Sequence, residues 1–165
     1  MSTRKSDARG YLRWIIASDY YDGATVGIGE RAIDGVAVWF RVVAWDDEQW
    51  QRVFASTAVE LSLAEQLVLE LEKTESRKSP FWLPGPPSAT PGTKKGWSEI
   101  AHAATRSETW RLVEAHDLNE PSAEHSVMRA DVPRVLACVR AGSVLGANGP
   151  SLTDSFLQQI RSQAG

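Results

Sequence analysis

The residues best suited to a binding site are tryptophan, arginine and phenylalanine side chains close together in the N-terminal part, with one aspartate nearby. They are Trp39, Arg41, Trp45, Trp50, Arg52, Phe54 and Asp19. Trp and Arg are enriched at the energetic hot spots of protein interfaces, and a guanidinium placed over an aromatic ring gains cation–π attraction. We therefore predict that this set forms a binding surface for another protein or for a small ligand.

The sequence leaves two interpretations of this set. In the first, the C-terminal half and the loop around Phe81 and Trp82 cover the set, and its charges lie at the rim or pair with one another. In the second, part of it stays open as a Trp/Arg surface, although large exposed apolar patches are rare on monomers. In both, Asp19 is expected to pair with Arg41 or Arg52, because it lies in a strand among apolar neighbours.

Motifs for catalysis, metals or cofactors do not stand out. His116 and Glu120 have the i, i+4 spacing of two metal ligands on a helix, but Pro121 disfavours a helix there and no third ligand has suitable spacing. The segment 27–29 lacks the third glycine of a dinucleotide fingerprint, and Cys138 falls in an apolar helical run typical of a buried structural thiol. We predict no metal and no cofactor, and the balance is against an enzyme.

The composition is that of a globular protein without features of nucleic-acid or membrane binding. The 165 residues are 42% hydrophobic and 24% charged, with a net charge of −3. No sustained basic stripe favours nucleic acid, and no apolar run approaches the ~20 residues of a membrane span. The single cysteine excludes an internal disulfide framework and suits a reducing compartment, so a cytoplasmic location is expected.

Three acidic turns organise the N-terminal part. Asp-Gly pairs at 22–23 and 34–35 are typical of type I′ hairpin turns, and the acidic tip at 46–49 is a third turn. They predict an antiparallel meander of four strands, over residues 11–20, 25–33, 36–45 and 50–57. Residues 17–50 carry a net charge of −5, which either steers a basic partner or only reflects the preference of aspartate for turns.

The turns also predict which side chains share a face of the sheet. They place Gly29 opposite Phe40, and Arg41 opposite Phe54. One face then collects aliphatic and aromatic residues: Leu12, Trp14, Ile16, Val36, Val38, Phe40, Val42, Val53 and Ala55. The other face collects Ile15, Val26, Ile28, Trp39, Val43, Trp45, Trp50 and Phe54, together with charged residues. A shift of one residue in register would exchange these assignments.

A helix follows the meander and is expected to cover the aliphatic face. Ser62 and Glu65 have the capping-box spacing, and leucines repeat at i+4 after them, which predicts a helix over residues 62–76. Residues 77–96 hold five of the eight prolines and are predicted to form a loop or linker without regular structure. This loop either docks Phe81 and Trp82 on the body or serves as a Pro-rich ligand for another protein.

The second half is predicted to be mostly helical. Helices are expected near 97–106, 132–141 and 151–163, whereas 109–115 fits a strand or a helix equally. The predicted fold class is α+β, with an N-terminal four-stranded antiparallel meander packed by the helix at 62–76. One domain is expected over 1–165, divided into parts at 1–76, 77–96 and 97–165.

The turn sequence D-Y-Y-D-G at residues 19–23, with the later W-D-D at 45–47 and R-V-F at 52–54, resembles small uncharacterised bacterial proteins that share these two features. The resemblance covers residues 15–56. It implies the hairpin block and carries no function.

The first functional hypothesis is a non-catalytic protein-binding protein of the bacterial cytoplasm, such as an inhibitor, an immunity protein or an adaptor, whose partner is another protein. The alternative is a small-molecule binder or enzyme with a pocket between the sheet and the C-terminal half, using Asp19, Arg41 and Arg52. A third hypothesis is a structural subunit of a larger assembly.

Overall fold

The computed structural model describes residues 10–74, 82–84, 91–147, 149 and 151–164. Within these residues the strands are β1 (Leu12–Tyr20), β2 (Ala24–Arg31), β3 (Ala37–Asp46), β4 (Gln51–Ala58), β5 (Trp82–Pro84), β6 (Arg111–Ala115), β7 (Ala123–Ser126) and β8 (Leu145–Gly146). The α-helices are α1 (Leu61–Thr74), α2 (Pro91–Thr105), α3 (Val132–Ala141) and α4 (Leu152–Ala164). A short 3-10 helix, Arg129–Asp131, precedes α3. The fold class is α+β, as predicted.

The eight strands belong to one sheet, with the order β5-β1-β2-β3-β4-β6-β7 and with β8 paired to β3. Strands β1 to β4 are neighbours in sequence order, so the four-stranded antiparallel meander is present as the centre of a larger sheet. The predicted helix-heavy second half is not shown, because strands accompany the helices there. Strands β6 and β7 from that half extend the sheet beyond β4, and β8 adds a short parallel pair.

The helix predicted at 62–76 begins one residue earlier, at Leu61, so Ser62 lies inside α1 and cannot be its N-cap. Residues 75–76 are outside the described part of the chain. The prediction that 77–96 has no regular structure is wrong where the structure describes it. Trp82–Pro84 pairs in parallel with β1, and Pro91 begins α2, where the missing N–H of proline breaks no helical bond. Phe81 lies outside the described residues.

In the β2–β3 turn, four residues (32–35) separate the paired Arg31 and Val36, where two were predicted. The Arg31 amide donates to the Val36 carbonyl at 2.8 Å, and the Gly35 amide donates to the Arg31 carbonyl at 2.7 Å. Gly27 therefore lies opposite Phe40, two positions away from the predicted pairing of Gly29 with Phe40. A shift of two residues by itself moves no side chain to the other face of the sheet.

Register shifts of one residue in the neighbouring pairs exchange other side chains between faces. A bulge between Val42 and Ala44 places Arg41 opposite Ala55, and Phe54 opposite Val42, so Phe54 lies on the opposite face from its prediction. Similar shifts in β1 place Ile16 opposite Ile28. The predicted composition of the two faces is therefore wrong for β4, for β1 beyond Leu12 and for β3 beyond its bulge, because a bulge inserts one unpaired residue.

Helices cover one face of the sheet, which we call the outer face. Its buried residues form one cluster with residues of α1, α2, α3 and α4: Ile16, Ile28, Trp39, Val43, Val53 and Ala55 from the sheet, with Leu67, Ile100, Val135 and Phe156 among those from the helices. The expectation that α1 covers the face of Val38 and Phe40 is wrong, since α1 packs on the face of Trp39. Fully burying one such Leu or Phe side chain contributes about 1.5–3 kcal/mol.

The other face, the inner face, is enclosed because the sheet curls onto itself. Its buried cluster comprises Leu12, Ile15, Ala17, Ala24, Val38, Phe40, Val42, Phe54, Val113 and Leu118. The Leu12 amide donates to the Leu118 carbonyl at 2.9 Å, although β1 and β6 are separated by three strands in the sheet order. Gly27 permits this curvature, because a Cβ atom there would lie 2.3 Å from the Ile16 carbonyl oxygen.

Candidate functional site

The structure does not bring the seven predicted site residues together on one surface. Trp39 is 3% exposed in the outer cluster, where its ring meets the edge of Trp110 at 6.3 Å between centroids. Phe54 is fully buried on the inner face, with its ring 5.9 Å from that of Phe40. Both are core residues, so the prediction of a single Trp/Arg face is corrected.

Arg41 and Asp19 also lie apart from the other predicted residues. The Arg41 guanidinium donates from Nη2 to the Gly142 carbonyl at 3.2 Å, where Gly142 is the C-cap of α3. A cation at this position interacts favourably with the negative end of the helix dipole. Asp19 is exposed and accepts a hydrogen bond from the Tyr20 amide at 3.0 Å. Among the described residues Asp19 pairs with neither Arg41 nor Arg52, so that expectation is wrong.

Trp45 and Arg52 meet at the end of the sheet where the β1–β2 and β3–β4 turns lie, and Trp50 belongs to the turn at that same end. The Arg52 guanidinium lies over the Trp45 ring, with Cζ 4.1 Å from the ring centroid. The other contact of that indole is an edge-on one with Tyr21, at 5.6 Å between centroids. Trp45 and Arg52 are direct cross-strand neighbours beyond the β3 bulge, which explains why both side chains lie at this end.

Arg52 fastens the β1–β2 turn to the sheet. It is 1% exposed, and its Nη2 donates to the carbonyl oxygens of Tyr21 at 2.7 Å and Asp22 at 2.8 Å. Burial lowers the pKa of the Arg52 guanidinium, and the negative charge of Asp117 opposes that shift. Burial disfavours the charged form of Asp117 in the same way, and this raises the pKa of its carboxyl. The buried charge therefore holds a turn whose own side chains point to solvent.

Trp50 has an unusual backbone conformation at the end of the β3–β4 turn. Its φ is 55°, in the left-handed region that Gly and Asn favour and that is an outlier for a bulky residue. Asp46 accepts hydrogen bonds from the amides of Glu48 (3.0 Å) and Gln49 (3.4 Å), which shapes the turn before it. His116 Nδ1 lies 2.7 Å from the Trp50 carbonyl oxygen. These contacts hold Trp50 in place while 55% of the residue stays exposed.

Three large aromatic residues are exposed at this end: Tyr20 (48%), Tyr21 (66%) and Trp50 (55%), which we call the aromatic rim. A depression of about 710 Å³ lies between Tyr20 and Trp50, and Asp22, His116 and Asp117 also line it. Exposed tyrosine and tryptophan side chains grouped in this way are typical of a recognition surface.

Acidic side chains surround the aromatic rim. Asp19, Asp22, Asp47 and Glu48 are exposed, and Asp117 is half-buried in the wall of the depression. Arg52, a cation at this end, is enclosed beneath the turn. The surface presented to a partner is therefore negatively charged as well as aromatic.

Sequence reasoning missed Tyr20, Tyr21, His116 and Asp117 as members of this site. A signal for the two tyrosines was present, because two adjacent aromatics immediately before an Asp-Gly turn are placed at the tip of a hairpin. His116 and Asp117 lie in the β6–β7 loop, which is distant from the rim in sequence and comes close to it only in the folded structure. The described residues contain no group of three or more His, Cys, Asp or Glu side chains arranged to hold a metal ion.

Comparisons with protein-family models, with curated proteins and with solved structures find no match. Among the described residues, none of the helices combines the length and the apolar character needed to cross a membrane. The geometry of the aromatic rim is therefore the basis for assigning a function.

Proposed function

We propose that this chain is a non-catalytic protein-binding protein of the bacterial cytoplasm, an inhibitor, immunity protein or adaptor, which binds a basic partner protein through the aromatic rim. The observation that carries the proposal is the exposure of Tyr20, Tyr21 and Trp50 on one acidic end of a curled sheet. The single cysteine, Cys138, is consistent with a reducing compartment.

The rim has the composition of an interface hot spot. Tyr and Trp supply large contact areas with few rotatable bonds, so that little conformational entropy is lost on binding. Arg52 limits the movement of the turn that carries Tyr21, because it donates to two of its carbonyl groups and packs on Trp45. A preorganised aromatic surface gains affinity by avoiding the cost of ordering it at the interface.

The charge of the rim specifies the kind of partner. Exposed carboxylates at Asp19, Asp22, Asp47 and Glu48 surround the aromatic side chains. Complementary charge raises the rate of association and disfavours acidic proteins as partners. The partner is therefore expected to present lysine or arginine side chains around an apolar or aromatic contact.

The conformation of Trp50 supports a functional role for its side chain. A left-handed backbone costs a non-glycine residue about 1–2 kcal/mol. Strained residues of this kind concentrate at functional sites. Glycine or asparagine would avoid this strain, and a contact of the exposed indole with the partner accounts for tryptophan at this position.

The test is affinity capture of the partner from the source cells, with purified wild-type protein and variants as bait. We expect Tyr21→Ala and Asp22→Asn to lose the proteins that the wild type retains, and retention by the wild type to fall as salt is raised. Ile33→Ala is the matched control, because Ile33 is 87% exposed at the β2–β3 turn, the opposite end of β3.

Affinity measured with the captured protein then decides the role of the rim. Loss of a hot-spot aromatic costs 2 kcal/mol or more, a reduction of about thirtyfold. If Tyr21→Ala and Ile33→Ala bind the partner equally well, or if the partner presents an acidic surface, the proposal is wrong.

A further inference from the structure

A second cavity, of about 640 Å³, lies at the opposite end of the curled sheet, and we call it the far mouth. It lies where β4 ends and β6 begins, and it reaches β7 and the 3-10 helix. Its lining includes Ser56, Arg31, Arg111 and Arg129, with apolar walls from Trp110 and Val132. Its volume is in the range of small-molecule sites, and barrel mouths are frequent places for such sites. None of these residues belongs to the aromatic rim.

The register of the sheet brings polar side chains together at this cavity. Ser56 lies directly opposite Arg111, and Arg111 lies directly opposite Ser126. Side chains of directly opposed residues share a face, with Cβ atoms about 4.5–5.5 Å apart. Ser56 is also opposite Phe40 of the inner cluster, so this row lies at the edge of the inner face.

Ser56 is a buried polar residue beneath the far mouth. The residue is 1% exposed, and its Oγ atom is enclosed by the protein beside the Tyr11 hydroxyl. The Tyr11 hydroxyl donates to Glu124 at 2.7 Å, and burial together with that bond raises the pKa of Tyr11 to about 12. The groups of the cavity that are available to a ligand are therefore its arginines.

The charges around the far mouth favour an anion. Three arginines and one carboxylate, Glu108, line the cavity. Arg31 is paired with Asp34, and Arg111 uses one nitrogen on Glu124 at 3.3 Å. Arg129 makes no hydrogen bond or ion pair with any described residue, so its five donors are available. Guanidinium groups match the planar oxygens of carboxylates and phosphates.

We propose that the far mouth binds a small organic anion, in which a carboxylate or phosphate group meets Arg111 and Arg129 and an apolar body contacts Trp110 and Val132. The shared chemistry is an oxyanion attached to an apolar group. This site is independent of the aromatic rim and of the partner that binds there.

The experiment is an NMR titration of the ¹⁵N-labelled full chain with phenyl phosphate, benzoate and benzyl alcohol. These probes share an aromatic body and differ in the charged group. We expect at least one anion to give saturable shifts at the amides of Ser56, Arg111 and Val127, and benzyl alcohol to give none. The relative affinity of the two anions distinguishes a phosphate site from a carboxylate site.

Two variants and a control localise the binding. Arg129→Gln is expected to weaken the anion about tenfold, the loss of one charge-assisted hydrogen bond. Arg111→Gln is expected to weaken it as well, because it removes the second guanidinium group of the proposed contact. Lys95→Gln makes the same change in net charge at an exposed position of α2 and should leave binding unchanged.

Three results would overturn the proposal. One is the absence of saturable shifts with either anion up to about 10 mM, the range of weak binding. Another is equal binding of benzyl alcohol. The third is an affinity that Arg129→Gln and Lys95→Gln reduce to the same extent, which would show a general effect of net charge.

Discussion

The left-handed conformation of Trp50 predicts an inverted order of stability for two small substitutions. At ordinary positions, alanine is more stable than glycine, because glycine loses more conformational freedom on folding. At Trp50, with φ of 55°, we expect Trp50→Gly to be more stable than Trp50→Ala. Both variants remove the indole, so that loss cancels in the comparison. The contact of His116 is with the backbone carbonyl and is available to both.

The size of the difference follows from two opposing effects. A left-handed residue other than glycine costs about 1–2 kcal/mol, which Trp50→Gly avoids. The greater freedom of glycine in the unfolded chain costs about 0.4–1 kcal/mol. The difference is therefore about 1 kcal/mol in favour of glycine, equivalent to about 2–4 °C in Tm for a chain of this length.

Urea denaturation of the two variants measures this difference, provided that the transitions have equal slopes. Gln49 provides the matched control, because it is an exposed residue of the same turn with an ordinary φ. There Gln49→Ala should be the more stable of the pair Gln49→Ala and Gln49→Gly. If alanine is as stable as glycine at position 50, the backbone there is unstrained and the argument from strain to function is refuted.

Three further results are expected. Arg52→Lys should lower the free energy of unfolding by about 2 kcal/mol, measured by urea denaturation, because one ammonium group cannot donate to both turn carbonyls and also stack on the indole. An unchanged free energy of unfolding would contradict the role of Arg52 in holding the turn. Hydrogen bonds from Arg161 hold the pKa of the Asp131 carboxyl below its ordinary value. The ionised carboxylate therefore stabilises the fold at every pH above its unfolded-state pKa, and this stabilisation is lost as the pH falls through the lower folded-state pKa. Asp131→Asn should therefore lower the free energy of unfolding by about 1 kcal/mol at neutral pH, and its Tm should decline less steeply with falling pH than that of the wild type. Parallel curves of Tm against pH would show that protonation of Asp131 is not coupled to unfolding. Gly27→Ala should destabilise by about 1–3 kcal/mol or prevent folding, seen as a loss of the cooperative thermal transition, because its Cβ atom would meet the Ile16 carbonyl.

Local sequence signals predicted much of the secondary structure. The Asp-Gly turns and the alternating residues between them indicated β1 to β4, and periodic apolar residues predicted α1, α3 and α4 within one or two residues of their observed bounds where the structure describes them. Strand β6 was ambiguous, because five residues are too few for either period to be distinctive. The start of α2 at Pro91 was hidden within a Pro-rich composition.

The faces of the sheet were harder to predict, because they depend on registers that local sequence does not specify. The extra residue at the Val42–Ala44 bulge moved Phe54 into the inner core and placed Trp45 against Arg52. Of the predicted site residues, Trp45 and Arg52 are in contact, and Trp50 lies at the same end of the sheet. Trp39 and Phe54 are core residues of opposite faces, although both were predicted for one surface.

By itself, the sequence determined the four-stranded meander, its acidic turns and the aromatic residues beside them, because turn chemistry and period-two alternation act over a few residues. Only the tertiary structure decided which of those residues reach solvent. Curling of the sheet enclosed Arg52 beneath the first turn and exposed Tyr20, Tyr21 and Trp50 around it. That outcome depends on bulges, on close packing at Gly27 and on the β6–β7 loop, whose contacts are distant in sequence.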